Sequence, residues 1–132
     1  MFRLVKILNG RINQGEPVRL PSKASKTYTY GEALSLSGGV LVTATAKPDF
    51  ICCEDYEAPA ADNRDVLVEP VSADMIFEVP FSAAPTSVKV GDKVKLNTDG
   101  LQITATTTDG VATIYDMAGA TATGDKCLVQ FK

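Results

Sequence analysis

Histidine and tryptophan are missing from this 132-residue chain. Without histidine there can be no Ser-His-Asp triad, no Cys-His dyad and no imidazole general base, which excludes the commonest hydrolytic machinery. Aromatic residues amount to only 7%, too few for the stacking platforms of a sugar cleft or a single-strand nucleic-acid groove. Tyr28 and Tyr30, near Lys23 and Lys26, are the one place where aromatic and basic side chains interleave. No apolar run approaches the roughly 18 residues of a membrane-spanning helix. The first eight residues, MFRLVKIL, carry Arg3 and Lys6 and lack a cleavage-like end, so they do not read as a secretory signal.

Cysteine is scarce as well. Cys52, Cys53 and Cys127 are an odd number, and two of them are adjacent, which gives no closed disulfide framework and a poor zinc set. A cysteine nucleophile would need a cationic neighbour, but Glu54 and Asp55 follow Cys52 and Cys53 and oppose ionisation. The acidic run Glu54, Asp55, Glu57, Asp62 and Asp65 lacks the alternating ligands and central glycine of a calcium loop. Gly38-Gly39 is a turn signal and no phosphate-binding loop is present. The chain is therefore expected to be no enzyme and to hold no cofactor or metal.

What is present is a mainly β pattern. Short apolar or alternating runs occupy residues 2–8, 18–20, 26–30, 33–36, 40–44, 50–53, 66–71, 75–79, 88–90, 93–96, 101–105, 111–117 and 127–131. Gly, Asp, Asn and Pro punctuate them, as turn residues do between strands. Residues 37–39 read as a hairpin turn and residues 54–65 as a surface loop. Helix is confined to one short turn at most, near residues 58–63 or 83–87. This spacing predicts one small β-barrel or sandwich.

Charge divides the chain. Residues 1–31 carry six basic side chains against Glu16 alone, a balance of +5, while the remainder carries seven basic and fifteen acidic, −8. With a net charge of −3, bulk electrostatics do not favour nucleic acid, and no specific nucleic-acid partner is expected. The division predicts a basic, extended N-terminal arm with the first short strand or strands over residues 1–31, turned toward an acidic partner, and a β-barrel body over residues 32–132. The candidate interface residues are Phe2, Arg3, Leu4, Lys6, Ile7, Arg11, Arg19, Lys23 and Lys26. The alternating start suits addition of a strand to a partner's sheet edge.

The run KPDFICCEDYEAPAADNRDVLVEPVSADMIFEVPF, followed by VKVGDKVKLNTDGLQITATTTDGVATIYDM and GDKCLVQF, resembles small head proteins of tailed phages of Gram-positive hosts, the capsid decoration or head-fibre-like proteins. The resemblance covers residues 31–132. It implies a β-barrel or β-tulip-like body, often trimeric, that is made in the host cytoplasm. In the virion such a body lies on the outer capsid surface, where it clamps major capsid protein subunits together. The alternatives are another virion component, such as a head-tail joining or tail protein, and a carbohydrate- or nucleic-acid-binding β module.

Overall fold

The computed structural model describes residues 1–8 and 16–132, and among these every regular element is a strand. One five-stranded sheet runs in the order β1 (Arg3–Ile7), β9 (Met75–Pro80), β12 (Lys126–Gln130), β11 (Ala112–Asp116) and β10 (Lys93–Val94). The other runs β2 (Val18–Pro21), β8 (Asp65–Pro70), β6 (Phe50–Cys52), β4 (Ala33–Ser37) and β5 (Val40–Thr43). A two-stranded ribbon pairs β3 (Thr27–Tyr28) with β7 (Tyr56–Glu57). All of these ladders are antiparallel.

Period-two alternation builds the main core. Met75, Phe77 and Val79 of β9 face it, as do Cys127, Val129 and Phe131 at β12 and Ala112 and Ile114 on β11. Phe2 joins them just before β1. Its ring lies 5.5 Å from that of Phe131 and 6.4 Å, edge-on, from that of Phe77. Such tilted and edge-to-face packing suits aromatic quadrupoles. A second core, of Tyr28, Leu34, Leu41, Cys52, Ala58, Val66 and Val68, belongs to the other sheet. Tyr28 is buried there without an unsatisfied hydroxyl, because it donates to the Leu41 carbonyl at 2.7 Å and accepts from the Lys23 N–H at 2.8 Å.

The mainly β expectation holds, and the strand orders are open. At the edges of the second sheet, Ser22 and Leu41 make one parallel bridge, not a ladder. Among the described residues no ladder closes either sheet into a barrel. The hairpin at residues 37–39 is a two-residue connection, with Gly38 and Gly39 both at positive φ between the paired Ser37 and Val40. That conformation matches the twist of the strands and favours glycine.

Three local expectations differ. Residues 88–90 form no strand and lead into a turn at Val90 and Gly91, where the Asp92 carboxylate accepts from the Lys89 N–H at 2.9 Å and the Asp92 N–H donates back to the Lys89 carbonyl at 3.1 Å. Residues 101–105 form no strand: Ile103 makes isolated bridges and Gln102 and Thr104 bond to residues 97 and 95, while the Asp99 carboxylate draws in the Leu101 N–H and the Gln102 amide. Within residues 54–65, read as loop, Tyr56–Glu57 is a strand.

The short strands expected at residues 2–8 and 18–20 form, and they pair within the chain. Residues 3–7 pair with β9 and residues 18–21 with β8, both within the same chain. Phe2 is 1% exposed. The physical reason is the apolar content of this stretch: leaving a phenylalanine in water forfeits about 2–3 kcal/mol of burial.

Candidate functional site

A cleft of about 120 Å³ opens where the N-terminal strand meets the second sheet. Phe2, Leu4, Ile51 and Phe77 give it apolar walls, Arg3 and Tyr30 stand at it, and Cys52, Cys53 and Glu69 line its far side. The turn that carries Tyr30 and Gly31 joins its two sides. The Phe2 N–H donates to the Gly31 carbonyl at 2.8 Å, and the Gly31 N–H donates to the Cys52 carbonyl at 2.8 Å. Gly31 sits at φ +80°, and a Cβ there would come within 2.5 Å of the Met1 Cβ and 3.1 Å of the Phe2 carbonyl oxygen. Only glycine meets both demands.

The Tyr30 N–H donates to Asp55 Oδ1 at 2.8 Å, which fixes the turn while the ring stays out. Tyr30 is 48% exposed, and the neighbouring Met1 is 50% exposed. Tyr30 thus presents its ring at the cleft.

The thiols at this site hold their protons. Burial, opposed in part by hydrogen bonding to the Glu54 backbone, pushes Cys52 up to about 11. Burial, and then the negative charge of Glu69, raise Cys53 as well. Burial outweighs the acidic neighbours that the sequence singled out. In the main core, burial takes Cys127 up to about 12. Such thiols are poor nucleophiles at neutral pH. Among the described residues, no three His, Cys, Asp or Glu side chains are placed to hold a metal ion.

Two charged networks flank the ribbon. Lys26 Nζ lies 2.6 Å from Glu32 Oε1 and 3.0 Å from Thr43 Oγ1, and the Thr43 hydroxyl donates to Glu32 at 2.6 Å. The Glu32 side chain is only 4% exposed. On the other side Arg64 forms a bidentate pair with Glu54, at 2.8 and 3.2 Å, and its guanidinium lies 3.9 Å from the Tyr56 ring centre. The Arg64 hydrogen bond is the main reason that the Glu54 carboxyl is held below its usual range. The acidic loop is thereby partly neutralised from within.

The structure disperses the interface residues expected from the sequence. Phe2 is in the core, and Leu4 and Ile7 are half-buried beneath the first sheet's edge. Arg3 is exposed and pairs with Glu78 at 3.1 Å, while Lys6 is exposed on the same strand. Arg19 lies on the other sheet, 3.9 Å from Glu54. Lys23 is exposed, and Lys26 is engaged with Glu32. Arg11 lies outside the described residues. The basic residues of residues 1–31 therefore spread over two sheets. Sequence reasoning missed Ile51, Glu69 and Tyr30 as neighbours of Phe2. The alternation in KTYTY offered a partial signal, but β3 ends at Tyr28, so the two tyrosines part company. No protein-family model matches the chain, and no curated protein matches it in sequence.

Proposed function

We propose that this chain is a non-enzymatic structural protein of a tailed-phage head, which binds the outer capsid surface and cements major capsid protein subunits. The observation that carries the reading is the cleft, lined by the exposed Tyr30 and by Arg3. A space of about 120 Å³ takes one apolar side chain of a partner, and tyrosine and arginine are favoured contact residues at protein interfaces. The all-β framework and the resemblance of residues 31–132 to phage head proteins support the same reading. A trimer that occupies several capsid subunits at once would convert weak single contacts into lasting attachment.

Co-sedimentation with undecorated capsids tests this. The chain is expected to pellet with capsids at micromolar concentration. Tyr30→Ala is expected to weaken binding about tenfold or more, as loss of an interface anchor does. Tyr115→Ala, on another strand and 39% exposed at the surface, serves as the control. Absence of co-sedimentation refutes the capsid reading. Equal binding by the Tyr30 and Tyr115 variants refutes the cleft as its site.

A further inference from the structure

The chain contains two Asp-Gly dipeptides, Asp99-Gly100 and Asp109-Gly110, and the fold holds them in opposite ways. Both carboxylate oxygens of Asp99 are engaged. Oδ1 accepts from the Leu101 N–H at 2.9 Å and Oδ2 from the Gln102 amide at 2.8 Å. Gly100 is buried, and its N–H donates to the Asn97 carbonyl at 3.0 Å. Asp109 is the reverse. Its side chain is 84% exposed, and its nearest described cation, Lys95 Nζ, stands 4.0 Å away. It occupies the left-handed region at φ +53°, and the Gly110 N–H makes only a long bond, 3.3 Å, to the Thr107 carbonyl.

We propose that Asp109 is a site of spontaneous isoaspartate formation in the folded protein, and that the fold protects Asp99 from the same reaction. The Gly110 nitrogen attacks the Asp109 side-chain carboxyl carbon. A C–N bond forms, and the carboxyl hydroxyl leaves with the amide proton as water, which yields a five-membered succinimide. Water then adds to one of the two ring carbonyls. Addition at the former backbone carbonyl breaks its bond to the Gly110 nitrogen and leaves the chain running through the side-chain carbon. One water is lost and one gained, so mass is unchanged and no other reactant is needed. Glycine favours the step because no Cβ shields the attacking nitrogen. At Asp99 the carboxylate must first leave two hydrogen bonds, so reaction there waits for local opening.

The product has structural consequences. Gly110 is pressed against β10: a Cβ on it would lie 2.0 Å from the Lys93 carbonyl oxygen. The next residue anchors β11 to β10 through the Val111 N–H and the Val94 carbonyl, 2.9 Å apart. An inserted backbone methylene at Asp109 shifts this register and frees the β10 edge.

The test is prolonged incubation of the folded full-length chain in warm neutral buffer, then peptide mapping with fragmentation that places isoaspartate at a named residue. Isoaspartate is expected at Asp109 in at least about tenfold excess over Asp99, as protection by local structure implies. In denaturant the two sites are expected to convert at similar rates, which shows that the fold makes the difference. Asp109→Glu, whose ring closure is unfavourable, is expected to remove the signal at that position. Equal conversion of the two sites in the folded chain, no conversion at Asp109, or the same preference in denaturant would overturn the proposal.

Discussion

Truncating Phe2 to alanine removes a ring that touches both Phe77 and Phe131 and leaves a hole between the first sheet and the second. Phe2 is 1% exposed, so the loss combines the transfer of the ring with an unfilled cavity, about 3–5 kcal/mol for a buried phenylalanine. Domains of this size have a total stability of about 5–15 kcal/mol, so a large share is removed. With an urea m-value of about 2 kcal/mol/M, a loss of about 4 kcal/mol moves the midpoint down by about 2 M. The thermal midpoint is expected to fall by about 10–20 °C. Val5, on the same strand but 41% exposed, provides the internal comparison, and Val5→Ala is expected to stay within about 0.5 kcal/mol. A double-mutant cycle between Phe2 and Phe131 should return a coupling of about 0.5–1.5 kcal/mol. Equilibrium urea unfolding followed by tyrosine fluorescence provides the measurement. A loss below about 1 kcal/mol for Phe2→Ala, indistinguishable from Val5→Ala, would mean that residues 1–8 behave as a detachable arm and would refute the core assignment.

Removing one partner of the Lys26–Glu32 pair, as in Lys26→Met, strands a carboxylate that is 4% exposed and is expected to cost about 3–5 kcal/mol; Lys26→Met combined with Glu32→Leu should recover much of this, both read from urea midpoints. Stability is also expected to fall in alkaline solution. The unfolded thiols ionise near 9.0, whereas burial keeps Cys52 and Cys127 protonated up to about 11 and about 12. Between those values the folded state binds more protons than the unfolded one, so stability is full below pH 9 and drains as pH rises, by about 1.4 kcal/mol per pH unit for each such thiol. Unfolding midpoints across that range would show the slope, and Cys127→Ala would reduce it; a flat profile would contradict the burial of these groups.

Much of the strand pattern is legible in the chain because the body obeys period two. Residues 75–79 and 127–131 place alternate side chains in one core, and Ser37-Gly38-Gly39 announces its own turn. Where the reading failed, side-chain hydrogen bonds accompany the backbone's departure from strand. Asp92 and Asp99 capture nearby N–H groups at residues 88–90 and 101–105, which form no strand although both stretches are β-prone. Such competition between carboxylate and ladder depends on three-dimensional placement. The candidate site was less legible, for a related reason. Its walls come from residues 2–4, 30, 51–53, 69 and 77, which no local spacing links. The charge excess of residues 1–31 is real as composition, but strands β1 and β2 carry it to different sheets.

How the sheets end bears on how this body can meet a partner. A strand edge invites pairing unless something blunts it. At β1 the register shifts between Leu4 and Lys6, and Arg3 and Lys6 project as exposed cations, so the edge is bulged and charged. At β10 residues 104–106 already pair with Lys95, whose carbonyl accepts from Thr104 at 2.8 Å and whose N–H donates to Thr106 at 3.0 Å. The edges of the second sheet meet at the Ser22–Leu41 bridge. Strand addition, expected from the alternating N-terminus, would therefore require β1 to leave β9 and draw Phe2 out of the core, at the cost worked out above. Attachment through side chains at a preformed cleft needs no such opening. On that ground the Tyr30 variant, which leaves the ladders intact, separates the two modes: strand donation predicts that it binds capsids as the parent chain does, and cleft docking predicts that it does not.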